Sequence, residues 1–297
     1  MLTRRRLLAL TSALAAELAG ASRVLGFEDA VGTKITLSHP PRRIVAINPS
    51  MVESVVAIGG ADRLVGIGGK VAYPQDVLRL PSVGGALGIS LEAVLALEPD
   101  LVIMALGAEG SAQIVSPLRE MGCAVFLATY SDFASILRYI RLLGNVSGLR
   151  EGAERLTAGM EQTVASVSRS VRGLNTPKVY FETGAAGTGA FQTVRSGHYA
   201  DDAIRLAGGR NAFNLAGPPQ VTLEGIDSVD PDRIIVLASD PALTAEAVAA
   251  RPGWQALRAV RERRITILPR GFMLIPGPRQ AEAITILARA IHPGALG

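Results

Sequence analysis

The stretch SLEAVLALEPDLVIM, from Ser90 to Met104, recurs without insertion or deletion as TLEGIDSVDPDRIIV, from Thr222 to Val236. Each copy begins with a residue that caps helices, continues with Leu-Glu, and passes through Pro-Asp into an apolar run that is typical of a strand. Another strand pattern, beginning at Arg43 and again at Lys178, precedes each copy at a similar spacing. The alternative is chance similarity between α/β segments. The repeat predicts two lobes of similar topology.

Short apolar runs alternate with helical patterns on both sides of the first copy. Residues 43–47, 101–105 and 124–128 are typical of strands buried on both faces. Helical spacing of apolar residues covers 51–58, 91–97, 112–121 and 133–143. This order predicts an α/β fold with a parallel sheet and helices on both of its faces.

A different pattern follows from residue 149 to 171. The apolar residues at helical spacing are Ala153, Leu156, Met160, Val164 and Val167. Gly and Pro in residues 173–177 end the pattern. We therefore expect one long helix, 149–173, to join an amino-terminal lobe, 27–148, to a carboxy-terminal lobe, 174–297. A single long helix predicts a modest change of shape on binding.

The amino terminus, MLTRRRLLAL, has a basic segment followed by an apolar one, and Ala19-Gly20-Ala21 fits a small-residue cleavage site. This pattern predicts an export signal over residues 1–26. The Thr-Arg-Arg-x-Leu-Leu motif resembles a twin-arginine signal, with the general secretory route as the other possibility. A basic amphipathic helix is the alternative. We expect the mature protein to work in the periplasm, without membrane insertion.

Composition excludes several classes of protein. The formal net charge is +4, but four arginines lie in the predicted signal, the remaining basic residues are dispersed, and aromatic residues make up only 4%. This argues against a nucleic-acid partner. One Cys and three scattered His argue against a direct zinc or manganese site. No P-loop or Gly-x-Ser-x-Gly motif is present, and we expect no enzyme. A secreted α/β enzyme that uses Asp201, Asp202 or His198 is the cross-class alternative. A docking or sensor protein that transports no ligand is a further alternative.

Loops after the predicted strands should face a cleft between the lobes. They are rich in Tyr, Phe, Met and Arg, which suits a bulky, partly aromatic ligand, whether anionic or neutral, better than a bare ion. A packed wall or a surface charge is the plainer interpretation of each residue. The candidate cleft residues are Asn48, Pro49, Ser50, Met51, Tyr73, Leu106, Tyr130, Phe191, Arg195, His198, Tyr199, Gln220, Arg270 and Phe272.

The order of residues 43–50, Glu53 and 59–66 resembles the opening of periplasmic substrate-binding proteins for metal chelates, which serve ABC importers of vitamin B12, ferric siderophores and haem. The resemblance continues through segments 73–74, 81–85, 90–92, 99–100, 207–211, 219–224 and 278–279. It implies two Rossmann-like lobes with parallel central sheets joined by one long backbone helix, as in helical-backbone metal receptors. It also implies that Glu92 and Glu224 dock onto a permease dimer, which carries a cytoplasmic ATPase. The chain would be a monomer with no cofactor.

The sequence indicates the identity of the ligand less closely than it indicates the family. Haem-binding members of the resembled family place an iron-ligating Tyr soon after the Pro-x-Val-Gly turn, where this chain has residues 85–88, Gly-Ala-Leu-Gly. His198 or Tyr199 could substitute as an axial ligand, and Tyr130 or Tyr73 are further possibilities. Arg195 and Arg270 favour an anionic chelate, such as a ferric siderophore or a similar iron complex. A corrinoid, haem and an oxyanion such as molybdate are the alternatives.

Overall fold

The computed structural model describes residues 25–30, 32–84, 88–105, 108–185 and 189–295. Nearly all of the predicted export signal lies outside these ranges. A hairpin of β1 (Leu25–Glu28) and β2 (Lys34–Leu37) opens the described chain. Within the described ranges, no helix has both the length and the apolarity that a bilayer crossing requires.

The amino-terminal lobe is built on a four-stranded parallel sheet. Its elements are β3 (Ile44–Ala46), α1 (Pro49–Ala57), β4 (Leu64–Ile67), α2 (Leu91–Leu95), β5 (Leu101–Ala105), α3 (Ala108–Glu120), β6 (Val125–Ala128) and α4 (Phe133–Ser147). The strands lie in the order β4-β3-β5-β6. The long helix α5 (Arg150–Ser170) follows directly.

The carboxy-terminal lobe repeats this plan. Its elements are β7 (Lys178–Glu182), β8 (Gly184–Ala185), β9 (Phe191–Gln192), α6 (Tyr199–Leu206), β10 (Arg210–Asn211), β11 (Gln220–Val221), α7 (Leu223–Val229), β12 (Arg233–Ala238), α8 (Ala245–Ala249), α9 (Arg258–Arg261), β13 (Ile265–Pro269), α10 (Arg270–Met273) and α11 (Gln280–Ile291). The parallel order β10-β7-β12-β13 matches that of the first sheet, and β8, β9 and β11 form a small antiparallel sheet. The predicted fold of two α/β lobes with parallel sheets joined by a long helix is confirmed.

The sequence repeat is also a repeat of hydrogen bonds. The Asp100 carboxylate accepts the backbone N–H groups of Arg42 and Arg43 at 2.7 and 2.9 Å. Asp232 accepts the backbone N–H of Lys178 at 2.8 Å in the same way. Each aspartate thus ties the start of the third strand of its sheet to the start of the first.

The backbone at the end of the repeated helix is matched as well. Glu98 and Asp230 occupy the same place in the two copies, and both have a left-handed backbone, with φ of 41° and 44°. Few non-glycine residues adopt this conformation. Its presence at both positions supports two copies of one structural unit.

Both faces of each large sheet are buried. On β3, Ile44 and Ala46 face a central core, whereas Val45 and the following Ile47 face an outer core under α2 and α3. The central core continues through α1, α4, α5, α6 and α11 into the other lobe, where Ile235 and Leu237 of β12 join it. The lobes therefore share one layer of helices.

Helix α5 packs closely on this layer. The predicted stripe is largely buried, although Leu156 is only half-buried and Thr157 takes a fully buried place, with its hydroxyl donating to the Ala153 carbonyl at 2.9 Å. A Cβ added to Gly152 would lie 2.1 Å from the carbonyl oxygen of Ile58. Gly152 thus permits the close approach of α5 to the end of α1.

Gly152→Ala should lower the free energy of unfolding by about 1–3 kcal/mol, because the added methyl group collides with backbone that cannot move freely. The matched control is Gly159→Ala on the same helix, where nothing lies within 4 Å of an added Cβ. That change should raise stability by about 0.5–1 kcal/mol through helix propensity. Urea denaturation measures both, and equal effects of the two substitutions would contradict the close packing.

Candidate functional site

A cavity of about 480 Å³ lies between the two lobes. The amino-terminal lobe contributes the loops that follow β3, β5 and β6, and the carboxy-terminal lobe contributes Arg195 and the segment after α10. Its lining residues are Asn48, Pro49, Ser50, Ala105, Ala128, Thr129, Tyr130, Arg195, Leu274, Ile275 and Pro276. The cavity therefore lies at the carboxyl ends of the first sheet, where α/β folds place their ligands.

Hydrogen bonds fix the amino-terminal wall. The side-chain oxygen of Asn48 accepts the Ala105 backbone N–H at 2.7 Å and fastens the loop after β3 to the end of β5. The Tyr130 hydroxyl bonds to Ser50 and lies 3.8 Å from the sulfur of Met51. Burial raises the pKa of Tyr130 well above its ordinary value, so this hydroxyl stays neutral.

The carboxy-terminal wall carries an exposed cation. Arg195 lines the cavity and makes no ion pair with any described residue. Nearby, the Tyr199 hydroxyl donates to the Leu274 carbonyl at 2.7 Å and holds the segment that completes this wall. Burial raises the pKa of Tyr199 above its ordinary value, against the opposing effect of Arg270.

His198 lies beside this wall and outside the 480 Å³ cavity. Its Nδ1 accepts the Ala200 backbone N–H at 3.2 Å, which caps α6, and its ring packs on Tyr199 with 4.1 Å between centroids. It lines a neighbouring crevice together with Asp201 and Asp202. Burial, and then the charge of Arg195, lower the pKa of His198, while Asp201 acts in the opposite direction.

A second cavity, of about 970 Å³, adjoins the first at Leu274. It lies beyond the carboxyl ends of β12 and β13, and Arg270 and Asp240 are among its lining residues. One guanidinium nitrogen of Arg270 donates to the carbonyl of Thr183. The two cavities together give the cleft a cationic side chain on each side of Leu274.

Several predicted cleft residues lie elsewhere. Met51 is fully buried in the central core, Phe191 packs on Trp254 at 5.2 Å, and Gln220 is exposed on β11. Tyr73 and Phe272 flank a guanidinium instead of lining either cavity. Leu106 lies outside the described residues. The ligand roles of all these residues remain predictions.

The guanidinium between Tyr73 and Phe272 belongs to Arg279, which pairs with Glu53 of the other lobe. Its Nη2 and Nε donate to the two carboxylate oxygens at 2.6 and 2.9 Å, and Glu53 is only 2% exposed. The guanidinium carbon of Arg279, Cζ, lies 4.4 Å from the centroid of the Tyr73 ring and 5.0 Å from that of the Phe272 ring. Glu53 and Arg279 are both among the residues that carry the family resemblance, but nothing in the sequence indicates that they pair.

Asp202 makes a second polar link between the lobes. Its carboxylate accepts the Phe133 backbone N–H at the start of α4, at 3.0 Å, and also pairs with Arg205. Asp201 accepts the backbone N–H of Gly197 at 3.2 Å. The two carboxylates thus have separate structural partners. In the part of the chain that the structure describes, no group of three or more His, Cys, Asp or Glu converges on a metal position.

Glu92 and Glu224 are exposed in the first turns of α2 and α7, after the capping residues Ser90 and Thr222. Backbone N–H groups, and then the capping hydroxyls, lower the pKa of both carboxyls. A helix in a βαβ unit runs opposite to its strands, so these helix starts lie toward the end of each sheet where the strands finish. Each lobe therefore presents one ionised carboxylate toward the cleft end.

Comparison with known proteins gives consistent matches. The model of the periplasmic binding protein family matches residues 44–270. Over 272 residues the chain is 25% identical to an uncharacterised ABC transporter substrate-binding lipoprotein of Bacillus subtilis, covering 90% of this chain and 85% of that protein. Over 276 residues it is 28% identical to a cobalamin-binding protein of Halobacterium salinarum, covering 89% and 73%.

Among solved structures, the periplasmic haem-binding protein RhuT from Roseiflexus sp. RS-1, in its apo form, superposes with a TM-score of 0.72 at 28% identity. The match covers 86% of this chain and 99% of that one. The likeness therefore extends over both lobes.

The proximity of Arg195 and Asp201 to His198 predicts opposite effects on one titration. Arg195→Gln should raise the pKa of His198 because a repelling cation is removed, and Asp201→Asn should lower it further. Proton NMR titration of the imidazole resonances measures the pKa of His198 in both variants. The chain has only three histidines, and the resonance that disappears in His198→Gln is that of His198. A shift in the same direction for both variants would contradict the geometry.

The same titration has a consequence for stability. Because folding lowers the pKa of His198, the unfolded chain binds more protons near the ordinary value of 6.5. The contribution of His198 to the free energy of unfolding should therefore decline as the pH falls below 6.5. This decline should be less steep in the Arg195→Gln variant.

Proposed function

The chain belongs to the periplasmic binding protein family, and we propose that it captures an anionic metal chelate between its lobes and delivers it to an ABC importer. The family and the matched proteins are binding proteins and not enzymes, and their ligand is cargo and not a cofactor. The choice of an anionic ligand rests on one observation: Arg195 makes no ion pair with any described residue and lines the cavity opposite a wall of neutral hydroxyl and amide side chains. An anion there would gain a charge-assisted hydrogen bond.

The size of the cleft supports a chelate over a bare oxyanion. The cavities of about 480 and 970 Å³ adjoin at Leu274, and each has one arginine on its wall. Small-molecule sites commonly span about 300–1,000 Å³. A complex large enough to touch both Arg195 and Arg270 fits this space better than molybdate does.

The donor set supports a chelate that brings its own metal ligands. The Tyr199 hydroxyl is committed to the Leu274 carbonyl, the Tyr130 hydroxyl is neutral, and Nδ1 of His198 caps α6. None of these groups is poised as an anionic metal ligand. A ferric siderophore or similar iron complex is the leading candidate. The matches to cobalamin-binding and haem-binding proteins make a corrinoid and haem the second candidates.

The proposed partners are a permease dimer with its cytoplasmic ATPase. Glu92 and Glu224 would each meet an arginine of the permease, and these exposed pairs would set orientation and association rate more than affinity. A monomer suffices, because one chain supplies both carboxylates. The predicted export signal supports a periplasmic location, and α5 supports division of the chain into residues 27–148, 149–173 and 174–297.

A thermal-shift panel tests the ligand. Ferric siderophores, ferric citrate, haem, cobalamin, molybdate and zinc would each be added to the mature protein, and a ligand at 100 times its Kd should stabilise it by about 2.7 kcal/mol. We expect a shift with one class of chelate. No shift with any chelate, together with a shift for molybdate or zinc, would overturn the proposal.

Arg195→Ala should weaken binding of the chelate that shifts the wild type by roughly tenfold or more, since a charge-assisted hydrogen bond contributes about 1.5–3 kcal/mol. Arg172→Ala is the control, because this exposed arginine follows α5 and lines no part of the cleft. Isothermal titration measures both. Equal affinities of the Arg195→Ala variant and the wild type would remove Arg195 from the site.

The double variant Glu92→Arg/Glu224→Arg should lose uptake while keeping the wild-type Kd, because like charges would then face the permease. The control is Glu151→Arg, which reverses a 93% exposed side chain in the first turn of α5. Uptake of the bound chelate by cells that lack the chromosomal copy measures transport. Wild-type uptake by the double variant would exclude these two docking residues.

A further inference from the structure

The two walls of the 480 Å³ cavity meet immediately beside the Glu53–Arg279 pair. Ser50 lines the cavity in the first turn of α1, and Glu53 follows one helical turn later. On the other side Pro276 lines the cavity, and Arg279 follows at the start of α11. Between them, Gly277 packs on Ser50, where a Cβ added to the glycine would lie 3.4 Å from the Ser50 Cα. A shift of this pair would therefore move both walls.

The pair has the geometry of a rigid clamp. Two parallel hydrogen bonds join Arg279 to a carboxylate that is only 2% exposed, and Tyr73 and Phe272 pack on the guanidinium from the two lobes. Bidentate pairing fixes the orientation of both groups as well as their distance. Lysine has neither the planar fork nor the flat face that this arrangement uses.

The carboxy-terminal lobe contains a chemically similar pair that does not bridge the lobes. Arg251 donates to both oxygens of Glu182 at 2.8 and 2.9 Å, and Glu182 is also 2% exposed. The guanidinium carbon of Arg251, Cζ, lies 4.6 Å from the ring centroid of Trp254 and 5.7 Å from that of Phe191. Neither charged residue lines either cavity of the cleft. This pair separates the loss of a buried ion pair from the loss of a link between lobes.

We propose that Glu53 and Arg279 are positioning residues for the cleft, which hold its two walls at the separation that binds ligand. This inference rests on the proposed function for its effect on affinity, but its effect on lobe geometry does not depend on any ligand. A preformed cleft binds more tightly because less motion is lost on binding. Loosening the clamp should therefore speed ligand dissociation more than it slows association.

The first test measures the distance between lobes without ligand. Spin labels would be attached through Glu120→Cys and Glu246→Cys, which are exposed positions on opposite lobes, in a Cys123→Ser background. Double electron–electron resonance should show a broadened or displaced distance distribution in Arg279→Lys and an unchanged one in Arg251→Lys. A distribution in Arg279→Lys that matches the unsubstituted labelled protein would overturn the proposal. Should Arg279→Lys fail to fold, Glu53→Gln keeps the hydrogen-bonding shape and replaces it.

The second test measures dissociation of haemin, aquocobalamin and ferric citrate by stopped flow. Any of these probes that binds the wild type should leave Arg279→Lys roughly tenfold faster, and leave Arg251→Lys within about twofold of the wild-type rate. Equal acceleration in both variants would mean general loosening and would contradict a positioning role. If no probe binds the wild type, that result counts against the proposed function, and the distance measurement alone decides the clamp.

Discussion

A parallel sheet that is apolar on both faces must be covered on both faces, and this requirement shapes the molecule. Each lobe meets it on the outside with its own short helices. On the inside, both sheets lie against one layer formed by α1, α4, α5, α6 and α11. A single apolar core includes residues from Ile35 to Ile291 of the chain. The lobes cannot separate without exposing that layer, so we expect only small adjustments on binding. Gly152 shows how closely the layer is packed, since even a methyl group there would overlap the backbone of α1.

Polar links between the lobes follow from the same packing. A carboxylate that enters a dry interface must be paired, because unpaired buried charge is costly. Glu53 meets this requirement with Arg279 across the interface, and Asp202 caps α4 from the opposite lobe. These links are directional, whereas apolar packing tolerates sliding. The core therefore holds the lobes together, and the polar links determine how they are aligned.

The parts of the fold that the sequence predicts correctly are those with a local periodic pattern of residues. The repeat from Ser90 to Met104 identified both sheets because capping residues, Pro-Asp turns and apolar strands are signals of short range. Strand β4 was missed, as Gly66 interrupts its apolar pattern, and the two-residue strands of the antiparallel sheet are too short for any pattern. Several predicted cleft residues do line the 480 Å³ cavity, among them Asn48, Ser50, Tyr130 and Arg195. The pairing of Glu53 with Arg279 joins residues 226 positions apart, and no local signal carries it.

The distribution of charge connects these features to delivery. Buried carboxylates at Glu53 and Glu182 are neutralised by arginines from neighbouring elements, whereas Arg195 faces the cleft without an ion pair to any described residue. Arg195 thus places a positive charge on the wall of the 480 Å³ cavity, whereas Glu92 and Glu224 present ionised carboxylates at the starts of α2 and α7. In the adjoining cavity Arg270 is accompanied by Asp240. An anionic cargo and a cationic permease would be attracted to different parts of the same end of the molecule. Under the proposed function, that separation of sign would let one protein hold its cargo and dock at the same time, because neither partner would compete for the other's contacts.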